Sequence, residues 1–239
     1  MPEHTLKAFD TELNALTREI AEMGDLVEKQ IADAIEVLAN HDIEQARRIG
    51  AADAAIDRLQ REIEEHAVLT IARRQPMAVD LREIVGALRI ANALERIGDY
   101  AKNIGKRAIA TGPLAGPADA VHGLRLMADL VLAAVHQVLE AYAQREVTQA
   151  LAVWRGDEAI DRANNSLFRD LLAAMSQDPH AIPACTHLLF CAKNIERMGD
   201  HATNIAETVY YIIQGVPITA ERPKSDGIGL DTASTASSC

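Results

Sequence analysis

Several residue types that often form functional sites are scarce in this chain of 239 residues or lack the spacing that such sites require. It has only three cysteines, and none of them forms a C-x-x-C spacing. An odd number without that spacing argues against a disulfide framework and against a sulfur-ligated zinc site. Because free cysteine is often buried, we expect Cys185 and Cys191 to be ordinary small residues of the core.

An excess of basic residues and a long apolar run are also missing. Lys and Arg number 24 against 35 Asp and Glu, giving a net charge of −11. This balance disfavours nucleic acid or an anionic membrane as a partner and favours cations or basic protein surfaces. Asp129 interrupts the most apolar stretch, and the N-terminus has no apolar segment behind a basic one. We therefore expect a cytosolic protein with no nucleic-acid partner and no direct membrane insertion.

Signatures of common enzyme classes are absent from the sequence as well. It contains neither His-Glu-x-x-His nor Glu-x-x-His, and it has no Walker A or Gly-x-Gly-x-x-Gly motif. No nucleophile and base stand at a telling spacing. Aromatic residues make up 3% of the chain, and Trp154, Tyr210 and Tyr211 are interpreted as packing residues. The sequence thus predicts a protein that is not an enzyme.

What the chain does contain is an internal repeat. The segment Glu95–Ile104, ERIGDYAKNI, returns at Glu196–Ile205 as ERMGDHATNI. At an offset of 104 residues, Asp53, Ile56 and Asp57 also match Asp157, Ile160 and Asp161. A period of about 100 residues is too long for a solenoid repeat and is typical of a duplicated domain.

Apolar residues recur in steps of three and four along most of the chain, which predicts amphipathic helices. Breaks near residues 40, 75, 113, 145 and 179 divide the chain into six long helices, three in each half. The predicted fold is all-α, a tandem pseudo-symmetric pair of three-helix bundles at residues 1–112 and 116–215. Residues 216–239 lack periodic apolar side chains and are predicted to be a disordered tail.

In both copies of the repeat, Glu, Asp and Asn stand at i, i+4 and i+8, which places them on one helix face. The residues are Glu95, Asp99 and Asn103, then Glu196, Asp200 and Asn204, with Glu207 on the same face. A helical wheel at about 100° per residue directs this face away from the core. Carboxylates one turn apart repel by about 0.2–0.5 kcal/mol, so their recurrence at matched positions favours a bound cation.

The second and third helices of a three-helix bundle are neighbours, so each half can bring two acidic pairs together. Asp53 and Asp57 would meet Glu95 and Asp99, and Asp157 and Asp161 would meet Glu196 and Asp200. Four carboxylates suit magnesium, calcium, manganese or iron better than a thiol-seeking metal, although zinc is also compatible. The alternative is a solvated polar face without metal.

Two glycines lie inside the repeated motif, at Gly98 and Gly199. Glycine costs a helix interior about 0.8–1 kcal/mol relative to alanine. Its presence at both matched positions predicts that a neighbouring backbone or a ligand approaches closely there.

These motifs resemble those of the PhoU family of phosphate-signalling regulators. The resemblance covers about residues 6 to 215 and is carried by QPMAVDLR at Gln75–Arg82, LERIGDYAKNI at Leu94–Ile104 and IERMGDHATNIAE at Ile195–Glu207. It implies multinuclear metal clusters on the bundle surface, with metal ligands Asp53, Asp57, Glu95, Asp99, Asp157, Asp161, Glu196 and Asp200. Asn103, Asn204 and Glu207 are additional candidates for metal or phosphate contacts. Lys106 stands at the position of Glu207 in the first copy, so the two sites need not be equivalent.

The resemblance also implies a function. The chain would be a cytosolic negative regulator of phosphate uptake and of the phosphate-starvation response, peripheral to the inner membrane through its partners. Those partners would be the ATPase subunit of a phosphate-specific ABC transporter and a sensor histidine kinase. We also expect a homodimer, with inorganic phosphate as a candidate ligand of the metal site. A metal-dependent phosphoester hydrolase and a metal-free helical scaffold are the alternatives.

Overall fold

The computed structural model describes residues 3–40, 42–111 and 117–222. Within these ranges the chain forms six long α-helices and no β-strand. The helices are α1 (Glu3–Asn40), α2 (Ile43–Arg74), α3 (Val79–Thr111), α4 (Ala118–Gln144), α5 (Val147–Gln177) and α6 (Ile182–Gln214), with one short 3-10 turn at Pro179–Ala181. The predicted all-α fold with three helices in each half is confirmed.

The helix ends follow from the residues that the sequence places there. The carboxylate of Asp42 accepts a hydrogen bond from the Gln45 backbone N–H at 3.0 Å and thereby caps the start of α2. Asp178 likewise accepts from the backbone N–H of His180 at 2.9 Å, just before α6. Gly215 closes α6 with a φ of 77°, a conformation that glycine adopts without steric cost. The midpoint residues 112–116 lie outside the described part of the chain.

Each half packs as a three-helix bundle, and the two bundles join through equivalent helices. Helices α1, α2 and α3 contact one another, as do α4, α5 and α6. The bundles meet where α1 contacts α4 and, more extensively, where α3 contacts α6. Helices α1, α3, α6 and α4 therefore form a closed inner ring, while α2 and α5 lie on its two flanks.

The apolar core is continuous across both halves. Close approach of α3 to α6 contributes to this, because a Cβ added at Gly86 would lie 2.3 Å from Cδ1 of Ile212. Cys185 and Cys191 are buried free cysteines in this core, which confirms their predicted role, whereas Cys239 lies outside the described residues. Burial raises the pKa of the Cys191 thiol to about 12, so this thiol stays protonated.

Helix α4 is the one described helix that is long and apolar enough to cross a membrane by composition. Its mean hydropathy reaches 1.3 over the best window. A core helix of a folded domain passes the same test, and here Leu124, Val131 and Val138 of α4 are fully buried in the shared core. Packing thus accounts for part of the apolar character of α4, since 33% of that window is buried in the fold.

The chain continues beyond α6 without helix or strand through residues 216–222. We call this segment the strap. Although the sequence assigned it to the tail, Ile218 packs against the apolar core and the Arg222 side chain is only 17% exposed. The predicted disorder of residues 223–239 falls outside the described residues.

Candidate functional site

The first acidic cluster lies where flank helix α2 meets α3. Asp53 on α2 is buried, with 5% of its surface exposed, and faces Asp99 on α3. The ammonium group of Lys102, on α3, bridges them: it donates to Oδ2 of Asp53 and to Oδ1 of Asp99, the latter at 2.8 Å. Burial lowers the pKa of Lys102, but the two carboxylates more than offset this, so its pKa is raised.

Glu95 and Asp57 complete the first cluster. Burial raises the pKa of the Glu95 carboxyl, and the negative charges of Asp99 and Asp57 raise it further, while Arg96 opposes the shift. The guanidinium of Arg96 lies 3.5 Å from Oε2 of Glu95, measured from its Nε. Glu95 therefore interacts with Asp57 and Asp99, while Lys102 joins Asp99 to Asp53.

The second acidic cluster lies at the matching seam between α5 and α6. Asp157 on α5 is buried, with 3% of its surface exposed. Its Oδ1 accepts a hydrogen bond from the Thr203 hydroxyl at 3.3 Å. The strap supplies the cation: Nη2 of Arg222 donates to Oδ2 of Asp157 and, at 2.8 Å, to Oδ1 of Asp200.

The remaining acids of the second half have separate surroundings. Glu196 forms an ion pair with Lys193, three residues earlier on α6, and its side chain is 15% exposed. Asp161 is half-buried one turn beyond Asp157 on α5. The second seam thus carries all four predicted acids, and Arg222 joins two of them directly.

The burial of Asp53 and Asp157 differs from the sequence expectation. The spacing of apolar residues along α2 predicts Asp53 at the edge of the apolar stripe, and the helical wheel directs the acidic face of the repeated motif away from the core. The flank helices instead turn this edge towards α3 and α6, so the first aspartate of each pair lies in the seam. Asn204 and Glu207 are exposed as expected, but Glu95 and Glu196 are half-buried.

The paired glycines are explained by side chains rather than by a backbone or a ligand. A Cβ added at Gly98 would lie 3.1 Å from Cδ1 of Ile56, and one at Gly199 would lie 2.8 Å from Cδ1 of Ile160. Ile56 and Ile160 are themselves matched by the repeat. The glycines therefore let the flank helices pack closely at both seams.

The additional candidates lie beside the clusters. Oε1 of Glu207 accepts a hydrogen bond from the Trp154 indole at 3.1 Å. This carboxylate therefore has a partner other than Arg222. Asn204 and Glu207 line a groove of about 980 Å³ between α3 and α6, which Arg89, His201 and Ile218 also line. Asn103 is half-buried on α3, one turn after Asp99.

Sequence reasoning missed both cations of the clusters. The sequence did contain a signal for Lys102, because a lysine three residues after an aspartate on a helix lies within reach of it. Lys102 also stands at the position that Thr203 occupies in the second copy of the motif. Arg222 had no comparable signal, because its contacts join residues 65 and 22 positions apart.

The clusters bear directly on the predicted metal ligands. Among the described residues, no group of three or more Asp, Glu, His or Cys side chains has an arrangement that would hold a metal ion. The donor chemistry fits a hard cation, since every predicted ligand is a carboxylate. In each cluster, however, a protein cation bridges two of those carboxylates. Metal ligation by these residues therefore requires that Lys102 or Arg222 withdraw.

The fold and the two seams define a class: a duplicated helical protein with two related acidic clusters. A family model described as the PhoU domain matches residues 20–108 and 124–209. The chain therefore belongs to the PhoU family.

Relatives and solved structures agree with this assignment. Proteins named phosphate-specific transport system accessory protein PhoU homolog are similar to it. The one from Rhizobium meliloti is 50% identical over 93% of this chain and 94% of its own length. The one from Caulobacter vibrioides is 47% identical over 95% and 98%. The crystal structure of PhoU from Pseudomonas aeruginosa has a TM-score of 0.83 and 35% identity, and covers 87% of this chain and 100% of that one. The phosphate transport system regulatory protein PhoU from Streptococcus pneumoniae has a TM-score of 0.82 and 27% identity, with coverage of 89% and 100%.

Proposed function

We propose that this chain is a non-catalytic accessory protein of a phosphate-specific transport system. It acts as a cytoplasmic negative regulator of phosphate uptake and of the phosphate-starvation response. The observation that carries the proposal is the duplicated acidic seam on a fold whose relatives carry that accessory name. A protein of this kind works by docking on partners at the membrane.

The proposed partners are the ATPase subunit of the phosphate-specific ABC transporter and the sensor histidine kinase of the phosphate two-component system. A net charge of −11 supports docking on basic protein surfaces, because complementary charge speeds association and disfavours wrong partners. The two bundles place one acidic seam on each flank of the inner helix ring. Two separate seams suit an adaptor that holds two partners.

Metal ions are the second element of the proposal. Asp53, Asp57, Glu95 and Asp99 would hold one set, and Asp157, Asp161, Glu196 and Asp200 the other. Bound metal would neutralise the carboxylates and offer open coordination positions to inorganic phosphate or to a partner's oxygen ligands. Burial is the main cause of the raised pKa of Glu95, and the further contribution of the charges of Asp99 and Asp57 supports this assignment, because it comes from carboxylates that repel one another.

The rival functions are a metal-dependent phosphoester hydrolase and a metal-free scaffold. Clustered carboxylates also serve metal-assisted hydrolysis, so turnover of p-nitrophenyl phosphate with added Mn²⁺, Mg²⁺ or Zn²⁺ would favour the hydrolase. Elemental analysis of untagged protein separates the scaffold from the other two. We expect bound metal without turnover.

The main test is co-purification with the ATPase subunit and with the sensor kinase, in high and in low phosphate. We expect the pair Glu196→Gln, Asp200→Asn to weaken capture of at least one partner. A matched control, Glu44→Gln with Glu65→Gln, removes two exposed charges from α2 and should leave capture unchanged. Undiminished capture by the site variant would remove the acidic seam from the docking mechanism.

Two further measurements address the remaining elements. The pair Glu95→Gln, Asp99→Asn should lower the metal content of the purified protein while leaving its helicity intact, since amides keep the size of the carboxylates but lose their charge. Equal metal content would favour a solvated acidic seam. The proposed homodimer is tested by sedimentation equilibrium of the untagged chain.

A further inference from the structure

The counter-ion of the second cluster comes from outside the helical bundle. Arg222 lies seven residues beyond Gly215, where α6 has ended, and reaches back to Asp157 and Asp200. Lys102, by contrast, is part of α3 and stands three residues from Asp99. The backbone of α3 keeps the Lys102 ammonium within a side-chain length of its carboxylates, whereas nothing helical holds Arg222 there.

The strap turns back along α6 to make this contact. Asp200 lies 15 residues before Gly215, which is about 22 Å along a helix at 1.5 Å per residue. Seven residues span at most about 23–25 Å when fully extended, and the long Arg222 side chain adds to that reach. Pro217 and Ile218 line the groove beside Asn204 and Tyr211, in agreement with this path.

The Arg222 contact is incomplete as well as remote. The Arg222 Nε is buried, yet it finds no hydrogen-bond partner among the described residues. Both of its contacts to the cluster run through Nη2. Both hydrogen bonds thus come from one of the three guanidinium nitrogens and go to two different carboxylates, so the contact lacks the two-nitrogen fork of a bidentate pair.

We propose that the strap is a displaceable gate on the second acidic cluster. Asp157 and Asp200 can take up a divalent cation only after Arg222 withdraws, while the first cluster has no such gate because Lys102 belongs to α3. Cation binding at this seam therefore favours release of the strap, and release of the strap favours cation binding. The inference rests on the proposed metal-binding function and adds its regulation.

The test is calorimetric titration with Mn²⁺ of the full chain carrying Asp99→Asn, which weakens the first cluster. Into this background we place three strap variants: Arg222→Gln, truncation to residues 1–215, and deletion of residues 219–221. The deletion keeps Arg222 but shortens the strap by about 10 Å, so that the guanidinium can approach Asp200 only with the remaining strap fully extended. It also removes the negative charge of Glu221, which works against the expected gain.

All three strap variants should bind Mn²⁺ about tenfold to a hundredfold more tightly than the background, because a competing charge-assisted contact has been removed. Two matched controls should leave the affinity unchanged. Truncation to residues 1–222 keeps the strap, and Arg169→Gln removes an exposed arginine 12 residues further along α5 than Asp157. Adding Asp200→Asn to the Arg222→Gln variant should abolish the gain.

Hydrogen exchange gives an independent readout. Peptides covering residues 216–222 should exchange faster when Mn²⁺ is added to the background protein, and equally fast with or without it in the Arg222→Gln variant. Equal Mn²⁺ affinity in strap variants and background, or weaker binding in the variants, would overturn the gate and leave metal binding intact. Absence of Mn²⁺ uptake by every protein would instead overturn the metal function and the gate with it.

Discussion

The two acidic clusters have the same carboxylates and different cations. In both, an aspartate of the flank helix is buried in the seam and faces an aspartate on the repeated motif. The first cluster is neutralised by Lys102 from within α3, and the second by Arg222 from a strap beyond α6. At the position of Lys102 the second copy has Thr203, whose hydroxyl donates to Asp157.

The comparison shows which part of a duplicated site is tied to the fold. The acids and the glycines that admit the flank helices are repeated, because they belong to the helix packing of each bundle. The counter-ions are not repeated, so the buried carboxylate of each seam is neutralised by a different residue. Two clusters with the same carboxylates can thus differ in how readily their counter-ion leaves.

The largest expected effect comes from removing the counter-ion of the first cluster. Lys102→Met removes the ammonium and leaves the buried Asp53 with only the Gln30 amide as a hydrogen-bond donor. An unpaired buried carboxylate costs about 1–3 kcal/mol, so we expect the free energy of unfolding to fall by that amount in urea titrations. Adding Asp53→Asn should recover most of the loss. A Lys102→Met protein as stable as the parent would show that water already serves Asp53.

An exchange of cations should have an intermediate effect. Thr203→Lys places an ammonium on α6 where α3 has Lys102, so the second cluster acquires an internal counter-ion. We expect the strap to be released, with faster hydrogen exchange at residues 216–222 and a change in unfolding free energy within about 1 kcal/mol, since one charge-assisted bond replaces another. Thr186→Lys, at a half-buried position near the start of α6 and away from the acidic cluster, is the control. An undisturbed strap would contradict the equivalence of positions 102 and 203.

The smallest expected effect concerns Glu95, the carboxyl of the first cluster whose pKa is raised. The folded-state pKa of Glu95 is raised above its ordinary value of 4.5, so the fold favours the neutral carboxyl. Its stabilising contribution is present below pH 4.5 and is lost as the pH rises through the raised pKa. Glu95→Gln should therefore stabilise the protein at pH 7 by about 0.2–0.5 kcal/mol, the size of a like-charge helical pair.

This gain should vanish as the pH falls below 4.5, where Glu95 is protonated in both folded and unfolded chains. Thermal unfolding between pH 4 and pH 8 measures the difference. Glu158→Gln, which removes a carboxylate paired with Arg162 on the exposed side of α5, should give no stabilisation at any pH. Stabilisation of equal size at pH 4 and pH 7 would indicate a packing effect instead of charge relief.

The helices and the seams could be predicted from the sequence because both rest on local periodicity. Steps of three and four place Ile97 and Ile104 in the core, and Asp42 marks a helix start by its capping group. Adjacent helices of a three-helix bundle then bring the acidic pairs together. Each of these steps depends on residues within a few turns of each other.

What escaped the sequence depends on contacts that periodicity does not encode. A helical wheel treats one helix alone, so it could not show that Asp53 and Asp157 would be buried where α2 packs against α3 and α5 packs against α6. The strap carries no apolar repeat, and yet Ile218 and Arg222 attach it to the bundle. A single arginine in an irregular segment has no pattern from which its partners could be deduced.

The continuous core has a consequence for the origin and integrity of the molecule. Each contact between the bundles joins a helix to its own counterpart, α1 to α4 and α3 to α6. Equivalent surfaces that meet in this way form an isologous interface, the arrangement of a symmetric dimer. The chain has the geometry of two fused half-molecules, and separating them would leave the inner sides of α1 and α3 as an apolar surface in water.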